Sequence, residues 1–434
     1  MKKIQMLIYL IMLGITTLAQ ETVYPTPMQT TPVVITNATV HVGNGQILEN
    51  TSILITDGKI KQIGTGITAP AGAQTINAQG KQVYPGLILS VTDLGLVEVP
   101  SVRATSDVRE IGEINASIRS IVAYNTDSKV TNTLRSNGIL LANIVPEGGL
   151  ISGSSSVVQL DAWNWEDAAY KMDGGIHFYM PALLSRPAAG QAARSPEQAP
   201  EDPIKMGLDK VDEIKSLLRT AKAYGSQTSH KETNLKLAAL KGLFDKSQKF
   251  YVHATTVKQM LVALDFVREF GVDMVIVGGS DSWQIADLLK QNNVAVILGQ
   301  SHSLPTLDDD DVDQPYKTPA MLQKAGVLFT ITDNDGQTRG RNLAYNAGTG
   351  VAYGLTKEQA LQAITLNAAK ILGIADKTGT IEAGKDANIV ISTGDILDMR
   401  SSIVTDAFIQ GRKINLDNKQ KQLYERYKYK YNSK

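Results

Sequence analysis

The chain contains no cysteine, which excludes disulfides, thiolate nucleophiles and cysteine-bound metals. Histidine is almost as scarce. Only His41, His177, His230, His253 and His302 occur, so any metal site must draw on these five together with Asp, Glu or an unusual Lys. A net charge is also missing, because 43 Lys+Arg balance 43 Asp+Glu. That balance argues against a nucleic-acid binder, which would carry a basic surplus or stripe. Beyond the first twenty residues no stretch is apolar enough to cross a membrane.

The one strongly apolar run lies at the start, in MKKIQMLIYLIMLGITTLAQ. Lys2 and Lys3 precede a short apolar core, and Thr17-Leu18-Ala19 has the small residues of a cleavage site. This is the pattern of a signal peptide, and the run is short for a spanning helix. The expectation is export to the periplasm or beyond, with a mature chain beginning near Gln20 or Glu21. No cysteine follows to carry a lipid anchor.

What remains is a chain of 434 residues, 43% hydrophobic and 20% charged, enough to bury a large core. Residues 33–84 read as strands only. VVITNATVHVGNGQ alternates, and Asp57-Gly58 supplies a two-residue hairpin turn. After Tyr84-Pro85-Gly86 short apolar runs alternate with helical stretches. TVKQMLVALDFVREFG carries apolar residues at helical spacing and stops at Gly271. Thr356 with Gln359 three residues on is a capping box. Repeated strand–helix units predict a parallel sheet closed into a (β/α)8 TIM barrel. Strand character returns in GTIEAGKDANIVIS and SSIVTDAFIQGRKI. The expected α/β organisation is a signal peptide at 1–20, the first part of a β-sandwich at 21–84, the barrel at 85–379, the second part of the sandwich at 380–417 and a basic tail at 418–434. The sandwich is thus a composite of both chain ends.

Barrel active sites form where strands end. The polar residues at those ends are Ser90, Thr92 and Asp93; His253; Ser280 and Asp281 after Gly278-Gly279; Gln300 and His302; Asp333 and Asp335. His41, His177 and His230 fall outside this register, and surface or packing roles are expected for them. EGGLISGSSSVVQLDAWNWEDA (147–168) reads as a barrel loop with tight turns, and its glycines and serines offer backbone N–H groups to an anion. Trp163 and Trp165 there would wall a pocket or pack in the core. The stretch at 190–203 reads as a mobile loop, and the aspartates of LDDDDVDQP (307–315) as a solvated acidic one, without EF-hand spacing.

The run VYPGLI and the closing TKEQALQAITLNAAKILGIADKTGTIEAGKDANIVI resemble the amidohydrolase superfamily, in its imidazolonepropionase-like or prolidase-like branch. The resemblance spans nearly the whole mature chain. It implies a metal-dependent hydrolase of carbon–nitrogen bonds on the barrel just inferred. It also implies a ligand set, which this sequence keeps only in part. The His-x-His of the first strand is replaced by Val91-Thr92-Asp93, and a later histidine by Gly278. His253, in FYVHATT, and Asp333, in ITDND, stand at the family's strand-end histidine and its last-strand aspartate. Asp93, His302 or Asp335 would complete a single-metal site, Asp333 would be the catalytic base, and His302 and Arg339 would contact substrate.

A bridged pair of cations needs more donors than this set supplies. The cofactor expected is therefore none, or at most one weakly held divalent ion such as zinc. Two readings stand: a C–N hydrolase with an altered site, or an inactive relative that binds a ligand or pairs with an active amidohydrolase. The partners expected are a small-molecule ligand or substrate and either a second copy or an active relative. No nucleic acid is expected, and no membrane once the signal peptide is cleaved.

Overall fold

The computed structural model describes residues 23–183, 202–227, 229–305, 310–333 and 337–432. The leader, most of the 190–203 loop, Asp308, Asp309 and Asp335 lie outside the described residues. The chain opens with β1 (Val33–His41), β2 (Ile47–Thr56), β3 (Lys59–Gly64), β4 (Gln74–Asn77) and β5 (Gln82–Pro85). Asp57 and Gly58, with φ of 53° and 77°, make the β2–β3 turn, as their sequence requires.

The second sheet is the barrel. Its strands are β6 (Leu87–Thr92), β7 (Ile139–Ile144), β8 (Ile151–Gln159), β9 (Ala169–Tyr179), β10 (Lys249–Ala254), β11 (Met274–Gly278), β12 (Ala295–Leu298) and β13 (Phe329–Ile331), side by side in chain order. Between β6 and β13 the seam is drawn together by one side chain. The Thr332 hydroxyl accepts from Val91 N at 3.2 Å and donates to Val91 O at 3.1 Å. Inward-facing Ile88, Leu141, Tyr251, Val275, Val277 and Ile297 fill the interior. Helix Leu366–Leu372 packs Ala368, Ala369 and Ile371 against the same cluster. Outward residues such as Phe178, Phe250 and Val252 pack under the surrounding helices.

The strand order departs from the expected all-parallel pattern at one place. β8 runs antiparallel to both β7 and β9, while the remaining neighbours are parallel. The 147–168 stretch therefore contains a barrel strand rather than a loop alone, and all nine residues of β8 are buried. Its serines and glycine suit that place. Ser152 Oγ donates to Pro146 O and Ser154 Oγ to Asp173 Oδ1. Gly153, at φ 125°, lets the carbonyl of Ile118 approach to where a Cβ would sit 2.5 Å away. Trp165 packs at the margin of the core, whereas Trp163 is 63% exposed.

The chain ends with β14 (Ile389–Ser392), β15 (Val404–Ile409) and β16 (Arg412–Lys413), then a helix Lys419–Asn432. β14 pairs antiparallel with β5, so one sheet of order β16-β15-β14-β5-β1-β2-β3 is assembled from both ends, with β4 on β1. Three polar contacts fasten it to the barrel. His41 Nδ1 lies 2.6 Å from Glu358. Tyr170 OH donates to Asp386 at 2.6 Å. Arg135 and Arg412 both reach the buried Asp161.

Candidate functional site

Each functional position follows from a strand end. β10 alternates Phe250 out, Tyr251 in, Val252 out, so His253 faces inward at the rim. The next residues turn into helix Val257–Phe270. Its N-cap Thr256 and Gln259 form a full capping box, and Gln259 Nε2 also donates to Pro181 O. These bonds fix how the chain leaves the rim for the helix.

His253 does not stand alone. Its Nε2 lies 2.9 Å from Nδ1 of His177 on β9, and one of the two nitrogens carries the shared proton. The His177 ring stacks on Tyr251 at 4.7 Å, and the His253 ring on Tyr179 at 3.9 Å. Glycine makes this packing feasible. A Cβ on Gly175 would sit 2.3 Å from the Tyr251 ring. His177 has no exposed surface, and burial holds its pKa well below the ordinary histidine value. Burial lowers His253 to about 3. Both rings are neutral at pH 7. Among the described residues His177 Nε2 has no hydrogen-bond partner, nor has the Ser90 hydroxyl.

His253, Thr255, Gln259, Gly278, Gly299 and Thr332 line a cleft of about 310 Å³ over the barrel mouth. The other sequence-derived candidates stand apart from it. Asp333 is buried just beyond Thr332, and its Oδ2 accepts from Asn346 Nδ2 at 3.0 Å. Asp93 follows β6, and burial raises its pKa. His302 is exposed and bonds Thr349 Oγ1 at 2.8 Å, and Arg339 is exposed on the turn Gln337–Asn342. Neither lines the cleft. The structure thus brings His253 together with His177, which sequence register had set aside, and leaves Asp93, His302 and Arg339 outside the cleft lining. Among the described residues no group of three or more His, Asp or Glu is gathered to hold a metal ion.

Glu147 also escaped the sequence reading. It sits at the rim near Asp93. Desolvation, with a smaller push from the Asp93 charge, raises its pKa against the pull of Arg109. Asp311 and Asp313 of the acidic stretch both pair with Lys317, at 2.9 and 2.6 Å.

With this geometry in place, comparison with known proteins decides the family. The amidohydrolase family profile matches residues 199–414. An imidazolonepropionase of Mesorhizobium japonicum is 25% identical over 80% of this chain and 87% of its own length. The chain belongs to the amidohydrolase superfamily. Among solved structures, an amidohydrolase from Thermotoga maritima superposes with a TM-score of 0.75 at 24% identity, covering 88% of this chain and 99% of that one. A Bifidobacterium longum structure described as a putative prolidase reaches 0.53 at 17% identity, covering 92% of this chain and 100% of that one. The imidazolonepropionase relative agrees with the imidazolonepropionase-like side of the expected branch, and the solved structures share its fold. Membership supports the class of hydrolases acting on carbon–nitrogen bonds. No described helix of this amidohydrolase is long and apolar enough to cross a membrane.

Proposed function

We propose that this chain is an exported amidohydrolase that binds a small amide-bearing molecule at the barrel mouth without two-metal hydrolysis of its C–N bond. The observation that carries the reading is the chemistry of the donor set. Val91 has no donor side chain, and both its backbone polar groups are committed to Thr332. Gly278 has no side chain at all. His253 is engaged with His177, and Asp333 accepts from Asn346. Catalytic zinc takes about three protein ligands plus an open position, and a bridged pair takes more. The residues present do not fit such a pair, so no step is routed through one.

What the site offers instead is neutral hydrogen bonding in a partly enclosed cleft. A neutral imidazole can accept from an amide N–H or donate to an amide carbonyl, according to its tautomer. The stacked Tyr179 and the helix after β10 hold that imidazole in place. The lysine-led apolar start and Ala19 support export, and pairing with a second copy or an active relative fits a binding role.

Elemental analysis of purified protein tests the reading. Well under two equivalents of divalent metal are expected, and any hydrolysis of small amides, cyclic imides or dipeptides should be weak and indifferent to chelators. Two tightly held metals per chain with chelator-sensitive turnover would overturn it.

A further inference from the structure

The basic tail is a helix, Lys419–Asn432, and none of its 14 residues is buried. Its start is tied to the barrel. Asn418 accepts from Lys421 N at 2.8 Å and donates from Nδ2 to Ser136 Oγ at 2.7 Å, and Gln420 Oε1 accepts from Thr133 Oγ1 at 3.2 Å. An isolated helix of this length is marginal in water, and most helices in proteins are stabilised by covering one face.

The side chains are sorted around the axis. Tyr424, Tyr427 and Tyr431 recur three and four residues apart, which sets them on one face, and they are 64%, 51% and 65% exposed. At 3.6 residues per turn Lys421 and Lys428 flank that stripe on one side, and Arg426 and Lys430 on the other. Lys430 Nζ lies 5.9 and 5.4 Å from the ring centres of Tyr427 and Tyr431, and Lys428 Nζ 5.8 Å from that of Tyr424. Lys428 also lies 3.9 Å from Glu425, a solvated pair that contributes little. The helix holds five of the chain's 43 Lys+Arg and one of its 43 Asp+Glu, so a chain without net charge ends in a cationic segment.

This chemistry selects an occupant. Tyrosine settles at the headgroup level of a bilayer, with its ring in the apolar layer and its hydroxyl wet, and each lysine beside it gains from anionic headgroups. A second copy would set one cationic helix against another. A protein partner suits it less, because lysine is depleted at protein interfaces and four of the five cations are lysine. At about 1.5 Å per residue the helix is too short to cross a hydrocarbon core of about 30 Å, so it lies on the surface.

We propose that helix Lys419–Asn432 docks this protein on an anionic phospholipid surface, with Tyr424, Tyr427 and Tyr431 turned into the headgroup layer and the flanking cations on lipid phosphates. This runs against the expectation that the chain meets no membrane once its leader is removed, and it is independent of the ligand reading of the barrel mouth.

Vesicle flotation of the full chain tests it, with vesicles of phosphatidylcholine alone or of an equimolar mixture with phosphatidylglycerol. The parent should partition at least about tenfold more strongly into the mixed vesicles, and high salt should remove that advantage. Replacing Lys421, Lys428 and Lys430 together by Gln should abolish the advantage. Replacing Tyr424, Tyr427 and Tyr431 together by Ser should weaken binding to mixed vesicles about tenfold while leaving it salt-sensitive. The leader is common to parent and variants, so the differences report the helix. Both variants should melt with the parent, because no residue of the helix is buried. Equal partition of the parent into the two vesicles overturns the proposal without recourse to variants, as does undiminished binding by either variant. Capture by polyglutamate without preference for the mixed vesicles would overturn it in favour of an acidic protein partner.

Discussion

Asp161 should be among the least replaceable charges in the molecule. It follows β8 and is 1% exposed. Its Oδ1 accepts from Arg135 Nη1, and its Oδ2 accepts from Thr26 N at 2.9 Å and lies 3.6 Å from Arg412 Nη1. Both guanidinium groups are themselves buried, and burial lowers the pKa of each. Arg412 repels Arg135, and the Asp161 carboxylate is the largest charge offsetting that for both. Asp161→Ala leaves two facing cations in a low-dielectric space. Breaking a buried pair in this way costs about 3–5 kcal/mol. At about 2.1 cal/mol/K of unfolding entropy per residue, a chain this long should lose about 3–5.5 °C in melting temperature. Thermal denaturation followed by circular dichroism reads this directly, with a urea titration as check. Asp398→Ala is the control, because its partner Arg400 is 87% exposed and the melt should not move. Replacing Arg135 and Arg412 by Met and Asp161 by Leu together should recover much of the loss. An Asp161→Ala protein melting within about 1 °C of the parent would refute the reasoning, since it would mean that water reaches these charges.

Acid should destabilise the fold through the histidine pair. A histidine held neutral by burial has a folded pKa below its unfolded value, so stability is complete above pH 6.5 and falls as the pH drops, by up to about 1.4 kcal/mol per unit for each group. His177→Asn with His253→Asn should flatten the pH 4–6.5 limb of a urea-midpoint profile; an unchanged limb would place the acid sensitivity elsewhere. His41 has the opposite sign. Burial lowers its pKa, but Glu358, Gln82 and the Asp395 charge together outweigh that and raise it. Its contribution is complete below pH 6.5 and lost as the pH rises through the folded value. Glu358→Gln should erase a decline in stability above pH 6.5, and persistence of the decline counts against the assignment. Deleting residues 380–434 should yield insoluble protein, because it removes β14 from β5 and Arg412 from Asp161; a soluble, cooperatively melting truncation would show that the N-terminal strands stand alone.

Much of the architecture is legible in the sequence where the determinants are local. Helix Val257–Phe270 reads from its apolar spacing and the glycine behind it, and Gly271 does adopt the left-handed cap. The Thr356–Gln359 capping box forms both of its bonds. β8 is not legible, because GSSS has no apolar alternation. Its burial is licensed by hydroxyl bonds to Pro146, Ile118 and Asp173, all distant or beyond the strand. His177 is hidden for a related reason. It follows Gly174-Gly175, which reads as a turn, yet Gly175 is there to admit the ring of Tyr251 from the next strand. Its bond to His253 spans 76 residues, and no spacing rule reports that distance. His253 itself was accessible, since a histidine ending a β-run before a helix cap carries its own register.

The sheet stitched from both chain ends sets a clock on biosynthesis. β5 leaves the ribosome early, and its partner β14 follows only after the whole barrel has been made. At about 5–20 residues per second the edge of β5 waits roughly 15–60 s for Ile389–Ser392. During that interval Val83 and Tyr84 belong to an unfinished surface, open to any chaperone that binds extended apolar chain. Synonymous codon changes that slow translation after residue 85 should lengthen the wait and raise aggregation, without altering a single residue of the finished protein.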